Sequence, residues 1–404
     1  MPIVDSEHVI SPMTCARDSQ FPSSRRFTTM VATIPNNRPV RFAVAGVGQI
    51  SQQAFIPGLS RIEDAELAAL VTSSPEKAEE LGQEFGVAIH SYEEYPALLA
   101  SGDIDAVYVA TPVFRHREFA EPALKAGIHV LLEKPMETSV EDCQAIIDAA
   151  EQSGATLMVA YRLHQEPGTV EMIEKVRDQK VIGDPRYFSS VFSQDITEEN
   201  HRGHSGYWGG PIPDMGTYPQ NMVRNLFHDE PVEVYAKGVR TPGRGFDFDD
   251  TVAVTLTFPG ERVAQFTISY ASESVERFTV AGTEGEISAE PCFGFGPDTG
   301  IEYTLTTSGS SESFAHDPVE QFGGQTQYFV DCLRSGEAPE STGEEGLLDV
   351  RVNEAVLKSL ETGAPVQLEP RRRERMVTSE QVRRVTPADE PGDEQLVDQV
   401  PQNG

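Results

Sequence analysis

The stretch Phe42-Ala43-Val44-Ala45-Gly46-Val47-Gly48-Gln49-Ile50-Ser51 decides how the rest of the chain is read. A short apolar run feeds a Gly-x-Gly-x-x-Ser turn that opens into helical periodicity. Such a strand-to-helix turn holds a pyrophosphate on backbone N–H groups and the positive end of the helix, here through Gly46, Gly48, Gln49 and Ile50. Ser51 stands where a third glycine is common. Alone, the pattern also describes a tight turn in any α/β protein, so its neighbours matter. Through residues 40–161, β-branched runs at 41–45, 67–71, 106–110, 129–132 and 156–160 alternate with helical stretches. That alternation predicts an α/β, doubly wound parallel sheet of the Rossmann type.

The second of these strands tests the cofactor. A carboxylate at its end would accept from an adenosine 2′-hydroxyl and repel a 2′-phosphate. The chain reads Val71-Thr72-Ser73-Ser74-Pro75-Glu76-Lys77, with no acid at the strand end. The hydroxyls of Thr72, Ser73 and Ser74 and the charge of Lys77 suit a phosphate, which favours NADP over NAD. The same residues also make a good turn and helix cap.

Near residue 165 the pattern changes. Strand-like runs dominate at 186–192, 232–238, 252–258, 263–270, 278–281 and 286–289, several alternating apolar and polar as a sheet with one covered face does. Helical segments at 319–335 and 343–362 follow. The chain therefore divides into a flexible extension (1–38), a dinucleotide-binding domain (39–164), a substrate-binding and oligomerisation domain (165–368) and an acidic flexible tail (369–404). Within the extension, Ser24-Arg25-Arg26-Phe27 lacks the apolar stretch that an export signal needs. Met30 is an alternative start.

The 404 residues carry 64 Asp+Glu against 32 Lys+Arg, a formal charge of −32 with only seven lysines. Nucleic acids and anionic membranes are bound through basic faces, so both are excluded as partners. With 38% apolar residues the chain can still build a core, and the surplus of carboxylates suits a salt-rich cytoplasm, where dense acids hold water and cations. No apolar run is long enough to cross a bilayer. Cys15, Cys143, Cys292 and Cys332 are scattered, and the histidines have no ligand spacing, so no metal is expected.

Leu132-Glu133-Lys134-Pro135-Met136 ends a strand well beyond the glycine turn. After it come Tyr161-Arg162-Leu163-His164-Gln165-Glu166-Pro167, Asp214-Met215-Gly216-Thr217-Tyr218-Pro219-Gln220-Asn221, and Gly343-Glu344-Glu345-Gly346-Leu347-Leu348-Asp349-Val350-Arg351; Ala110-Thr111-Pro112 and His116 precede it. This ordered series resembles the glucose-fructose oxidoreductase, inositol dehydrogenase and rhizopine catabolism (Gfo/Idh/MocA) family over roughly residues 40–368. Within it, the chain is most similar to the glucose-fructose oxidoreductase and NADP-dependent xylose dehydrogenase branch. The resemblance implies a Rossmann domain followed by an α+β domain with an open, mostly antiparallel mixed sheet. It also implies a cofactor site reaching Thr111, Pro112, His116, Glu133, Lys134 and Arg162, a cis Lys134–Pro135 bond, and a dimer or tetramer formed through the second sheet. Val113 and the stretch 208–213 depart from the family pattern, where an Asn and a triple glycine are usual.

Oxidising a hemiacetal at C1 needs a base for the hydroxyl proton and a cofactor face for the hydride. Tyr218 is the candidate base. A free phenol titrates near pH 10, so the role needs a neighbouring cation, which Lys134 supplies. Asp214, Tyr218 and Asn221 share one face of a helix, so Lys134, Tyr218 and Asp214 are the catalytic candidates, with Arg162 and Asn221 holding substrate. Cyclitol-oxidising members of the family carry His at the position of Tyr218, so the resemblance points to anomeric carbons. The expectation is a cytoplasmic NADP-dependent aldose 1-dehydrogenase, D-xylose first and D-glucose second, making the 1,5-lactone. The alternatives are a glucose-fructose oxidoreductase type that retains NADP, and a non-catalytic sensor of NADP or sugar.

Overall fold

The structure is a computed structural model that describes residues 34–196, 210–373 and 375–397. Its first sheet has six parallel strands: β1 (Val40–Ala45), β2 (Ala65–Val71), β3 (Ala88–His90), β4 (Ala106–Val109), β5 (His129–Glu133) and β6 (Leu157–Ala160). β4, β5 and β6 are buried at every residue, which is why they read as continuous apolar runs and not as alternating ones. The order is β3-β2-β1-β4-β5-β6. The chain winds outward in both directions from β1 and β4, leaving the crevice where open α/β sheets bind ligands. The helix after β1 begins as a π-helical turn (Ser51–Phe55) and continues as α1 (Ile56–Leu59). α2 (Pro75–Phe85), α3 (Tyr95–Ser101), α4 (His116–Lys125) and α5 (Val140–Ser153) complete the layer. β3 was not foreseen, because three residues carry no periodic signal.

The second part contains α6 (Pro167–Arg177), β7 (Pro185–Asp195), α7 (Thr217–Phe227), β8 (Glu233–Val239), β9 (Thr251–Phe258), β10 (Arg262–Ser269), β11 (Ala271–Gly282), β12 (Gly285–Ala289), β13 (Glu302–Thr307) and β14 (Ser310–Ala315). α8 (Gln321–Ser335), α9 (Gly343–Thr362) and the short β15 (Val366–Gln367) follow. Among the described residues the strands form one sheet, β14-β13-β12-β11-β7-β10-β9-β8-β15. Only β7 and β10 pair in parallel; the other pairs are antiparallel. β9 alternates buried and partly open residues, so one face is packed and one is open. β13 and β14 escaped the sequence reading because the outermost strand, Ser310-Ser311-Glu312-Ser313-Phe314-Ala315, is almost wholly polar.

Packing crosses the divide at residue 165. α8 returns to the first sheet and lies on α1 at backbone distance, since a Cβ added to Gly58 would stand 2.8 Å from the Gly323 amide nitrogen. Phe322, Phe329 and Leu333 join Phe42 and Tyr108 in one apolar cluster. Val350 of α9 packs on the opposite face of that sheet.

Both ends differ from the expected flexible segments where they are described. Residues 1–33 lie outside the described residues, but Ile34 is buried and donates its N–H to Leu333, and Arg38 forms an ion pair with Asp105. After β15 the chain does not leave the body: Arg373 and Val377 are buried, and contacts continue to Val397. The reason is that the charged tail interleaves apolar residues, Val377, Val385 and Ala388, whose burial outweighs its polar composition. No described helix is long and apolar enough to cross a membrane.

Candidate active site

At the first turn Gly46 has φ +88°, and a Cβ there would lie 2.5 Å from the Thr111 nitrogen. Only glycine lets the end of β1 touch the end of β4. Ser51 is fully buried and donates its hydroxyl to the Gly46 carbonyl at 2.7 Å. A serine therefore closes the loop on itself where a third glycine is common. A Cβ on Gly48 would meet nothing within 4 Å, so the loop backbone is open to an approaching group. The buried Thr111 hydroxyl has no partner among the described residues. An open glycine backbone beside an unpaired hydroxyl fits a dinucleotide pyrophosphate, held by Gly46 to Ile50 and Thr111.

Past β2 the turn forms as the cap the sequence also allowed. Ser74 accepts the Lys77 N–H at 3.3 Å and donates its own N–H to Thr72 Oγ1 at 3.2 Å. The first carboxylate after the strand is Glu76, already inside α2. Capping and phosphate binding therefore draw on the same hydroxyls, while Ser73 is exposed.

The catalytic candidates gather from separate elements. Glu133 ends β5, and burial pushes its carboxyl above the ordinary range; it accepts the Tyr108 hydroxyl at 2.7 Å and the Lys134 N–H at 3.1 Å. The Lys134–Pro135 peptide is cis. Lys134 Nζ donates to the Asp214 carbonyl at 2.8 Å, lies 3.7 Å from its Oδ1, and sits 4.6 Å from the centre of the Tyr218 ring. From the turn after β6, Arg162 Nη2 donates to the Tyr218 hydroxyl at 3.2 Å. Arg162 is itself gripped by the carbonyls of Phe293 and Gly294 and by Gln321, and lies over the ring of Phe295. Two cations thus face one phenol.

Three further predicted residues are held by contacts that the sequence did not show. Asp214 is not on α7 but in a π-helical turn (Ile212–Gly216) before it; its carboxylate accepts the Tyr270 hydroxyl at 2.8 Å while its carbonyl takes Lys134. It anchors the lysine. Asn221 lies on α7, which is buried nearly all round: it lines one cavity with Lys134, Arg162 and Tyr218, while its Oδ1 meets His164 Nε2 at 2.8 Å and its amide donates to Asp349 at 3.0 Å. His116 is buried between the carbonyls of Met136 and Thr111, at 3.2 and 2.9 Å, and burial pushes it down to about 4. In neutral form it donates to one of these two carbonyls, packed between the ends of β4 and β5.

Sequence reasoning missed the network behind Tyr218. Asp349 of α9 accepts from Tyr161 at 2.5 Å, from Gln220 at 2.9 Å and from Arg224, which also pairs with Glu230 at 2.7 Å. His164 and Glu340 lie 2.7 Å apart; burial opposes both charges, yet their attraction raises the imidazole and lowers the carboxyl. Tyr270, Glu276 and Gln321, which hold Asp214 and the Arg162 grip, were missed as well. Nothing in their local sequence marks them, since each acts across the fold.

A glycine-turn dinucleotide site beside a lysine, an arginine and a tyrosine defines a two-domain oxidoreductase. Residues 40–161 match the oxidoreductase family model with an NAD-binding Rossmann fold, and residues 170–288 match the Gfo/Idh/MocA C-terminal domain. The chain belongs to the Gfo/Idh/MocA family. It is 31% identical over 342 residues to D-xylose 1-dehydrogenase (NADP(+)) of Haloarcula marismortui, covering 82% of this chain and 94% of the relative. It is 29% identical to D-xylose 1-dehydrogenase (NADP(+)) 2 of Haloferax volcanii, covering 81% and 99%. The structure is similar to that of aldose-aldose oxidoreductase from Caulobacter crescentus complexed with glycerol, with a TM-score of 0.76 and 31% identity, covering 82% of this chain and 100% of that one.

Proposed function

We propose that this protein is an NADP-dependent aldose 1-dehydrogenase, acting on D-xylose first and D-glucose second. The observation that carries this reading is the Tyr218 hydroxyl bonded to Arg162 at 3.2 Å with Lys134 over the same ring. The Tyr218 oxygen takes the proton of the C1 hydroxyl, and the C1–O bond becomes the carbonyl of the 1,5-lactone as the C1 hydride leaves. When bound, NADP supplies the electron-poor ring that accepts that hydride. Arg162 and Lys134 hold the phenol oxygen and the sugar hydroxyls in register, and Asp214 and Tyr270 keep the lysine in place. Thr72, Ser73, Ser74 and Lys77, with no acid at the strand end, support NADP over NAD. The similarity to two xylose dehydrogenases supports the substrate.

The same reading places the enzyme in a salt-rich, haloarchaeal cytoplasm and joins copies through the open face of the second sheet, where Tyr187, Tyr235 and Val263 are exposed. Light scattering in molar KCl should give a dimer or tetramer; a strict monomer contradicts that part. The substrate is tested by initial rates for xylose, glucose, arabinose, galactose and myo-inositol, each with NADP and with NAD. Xylose with NADP should be fastest, and a preference for myo-inositol or NAD would overturn the assignment.

A further inference from the structure

The segment 375–397 runs as a line of anchors from the second part of the molecule to the dinucleotide turn. Val377 is fully buried, and the Ser379 N–H donates to Glu174 at 2.7 Å. Arg383 donates its N–H to the Gln165 carbonyl at 3.2 Å and its side chain to Asp331 at 2.8 Å. Gln165 lies in the same turn as Arg162. Val385 accepts the Glu320 N–H at 2.9 Å, and the buried Ala388 donates to the Glu320 carboxylate at 3.2 Å. Burial and the charge of Glu320 raise the Glu390 carboxyl, and the charge of Arg162 opposes that rise.

The last anchor lies on the turn itself. Gln52, 4% exposed, is in the first turn of the helix that follows Gly46 to Ile50. Its amide pairs in both directions with one residue of the segment: Nε2 donates to the Val397 carbonyl at 3.1 Å, and Oε1 accepts the Val397 N–H at 2.8 Å. The same Nε2 donates to the Val47 carbonyl inside the glycine turn at 3.1 Å. One side chain thus ties the loop that fits a pyrophosphate to a segment more than three hundred residues away. If the segment departs, Nε2 keeps its bond to Val47 while the buried Oε1 loses the Val397 N–H.

We propose that residues 383–397 are a further part of the dinucleotide site: a strap that spans from the Arg162 turn to the pyrophosphate turn and must loosen before the cofactor can exchange. The proposal rests on the NADP reading above but not on the sugar. It bears on whether the enzyme releases NADPH on each turnover or passes the hydride on with the cofactor retained.

The experiment follows the fluorescence of NADPH bound to the full-length protein in molar KCl, without sugar, while excess NADP displaces it. Two variants are compared with the wild type. One is a chain ended after Thr386. The other carries Gln52→Cys and Val397→Cys in a Cys15→Ser background, joined by a short thiol cross-linker. The strap predicts release at least tenfold faster from the shortened chain and at least tenfold slower from the cross-linked one. If the shortened chain does not fold, the cross-linked protein alone decides. Release unchanged by cross-linking would overturn the strap while leaving NADP binding intact. Failure of the wild type to bind NADPH at all would overturn the cofactor reading and the strap together.

Discussion

At the glycine turn, Ser51 reaches its partner Gly46 across five residues. At the proposed catalytic corner, Arg162 meets Tyr218 across 56 residues and Lys134 meets Asp214 across 80. The first region is made of backbone geometry that a short motif can encode. The second exists only where β5, the turn after β6, the turn before α7 and the loop at Phe293 converge. Local devices announce themselves in sequence, whereas convergent ones need either the fold or a resemblance to bring them to notice.

The sharpest way to break the comparison is at the corner. Tyr218→Phe should leave the fold unchanged and lower kcat about a thousandfold, the loss expected when a positioned general base is removed. Stopped-flow reduction of NADP would show it. Next comes the support behind the corner. Asp349→Ala leaves Arg224, which is fully buried, short of a partner, and should cost about 4 kcal/mol of stability, read by denaturant unfolding in molar KCl. Asp349→Asn, which keeps the acceptor oxygen but not the charge, should lose less.

How much could be read beforehand follows the same division. Gly46, Gly48 and the parallel sheet were legible because a turn, a period and burial on two faces leave local marks. Lys134, Arg162 and Tyr218 were named through the ordered family motifs, and the structure brings them together; the spacing that set Asp214 on one helix with Tyr218 and Asn221 gave no sign of the π-helical turn that carries it. Tyr161, Gln220 and Asp349 stood inside the quoted motifs, but neither their pairing nor that of Gln52 with Val397 left a mark, since the partners lie in remote segments. The charged composition at the end of the chain actively misdirected, hiding Val377 and Ala388 inside a tail that otherwise reads as solvated.

Smaller effects sharpen the contrast. His116 has an ordinary value near 6.5 and is pushed down to about 4 by burial, so below pH 6.5 the unfolded chain takes up a proton that the native one refuses. Its contribution is complete above pH 6.5 and is lost as pH falls toward 4, by about 3 kcal/mol. His116→Gln should flatten that acid limb in unfolding curves measured from pH 7.5 to 4. Arg162→Lys keeps the charge but loses the planar fork that grips Phe293, Gly294 and Tyr218 together, so kcat should fall about thirtyfold with KM for NADP little changed. Smallest, Lys77→Gln should cut the preference for NADP over NAD about tenfold, the worth of one charge-assisted contact to phosphate.

The central proposal, that Tyr218 between two cations takes the C1 hydroxyl proton while NADP accepts the hydride, is tested most directly by initial rates with D-xylose and NADP in molar KCl for the wild type and Tyr218→Phe side by side. The account predicts NADPH formation by the wild type and its loss, to about a thousandth, in the variant. Full activity in Tyr218→Phe, or no NADPH from any aldopyranose with the wild type, would contradict it.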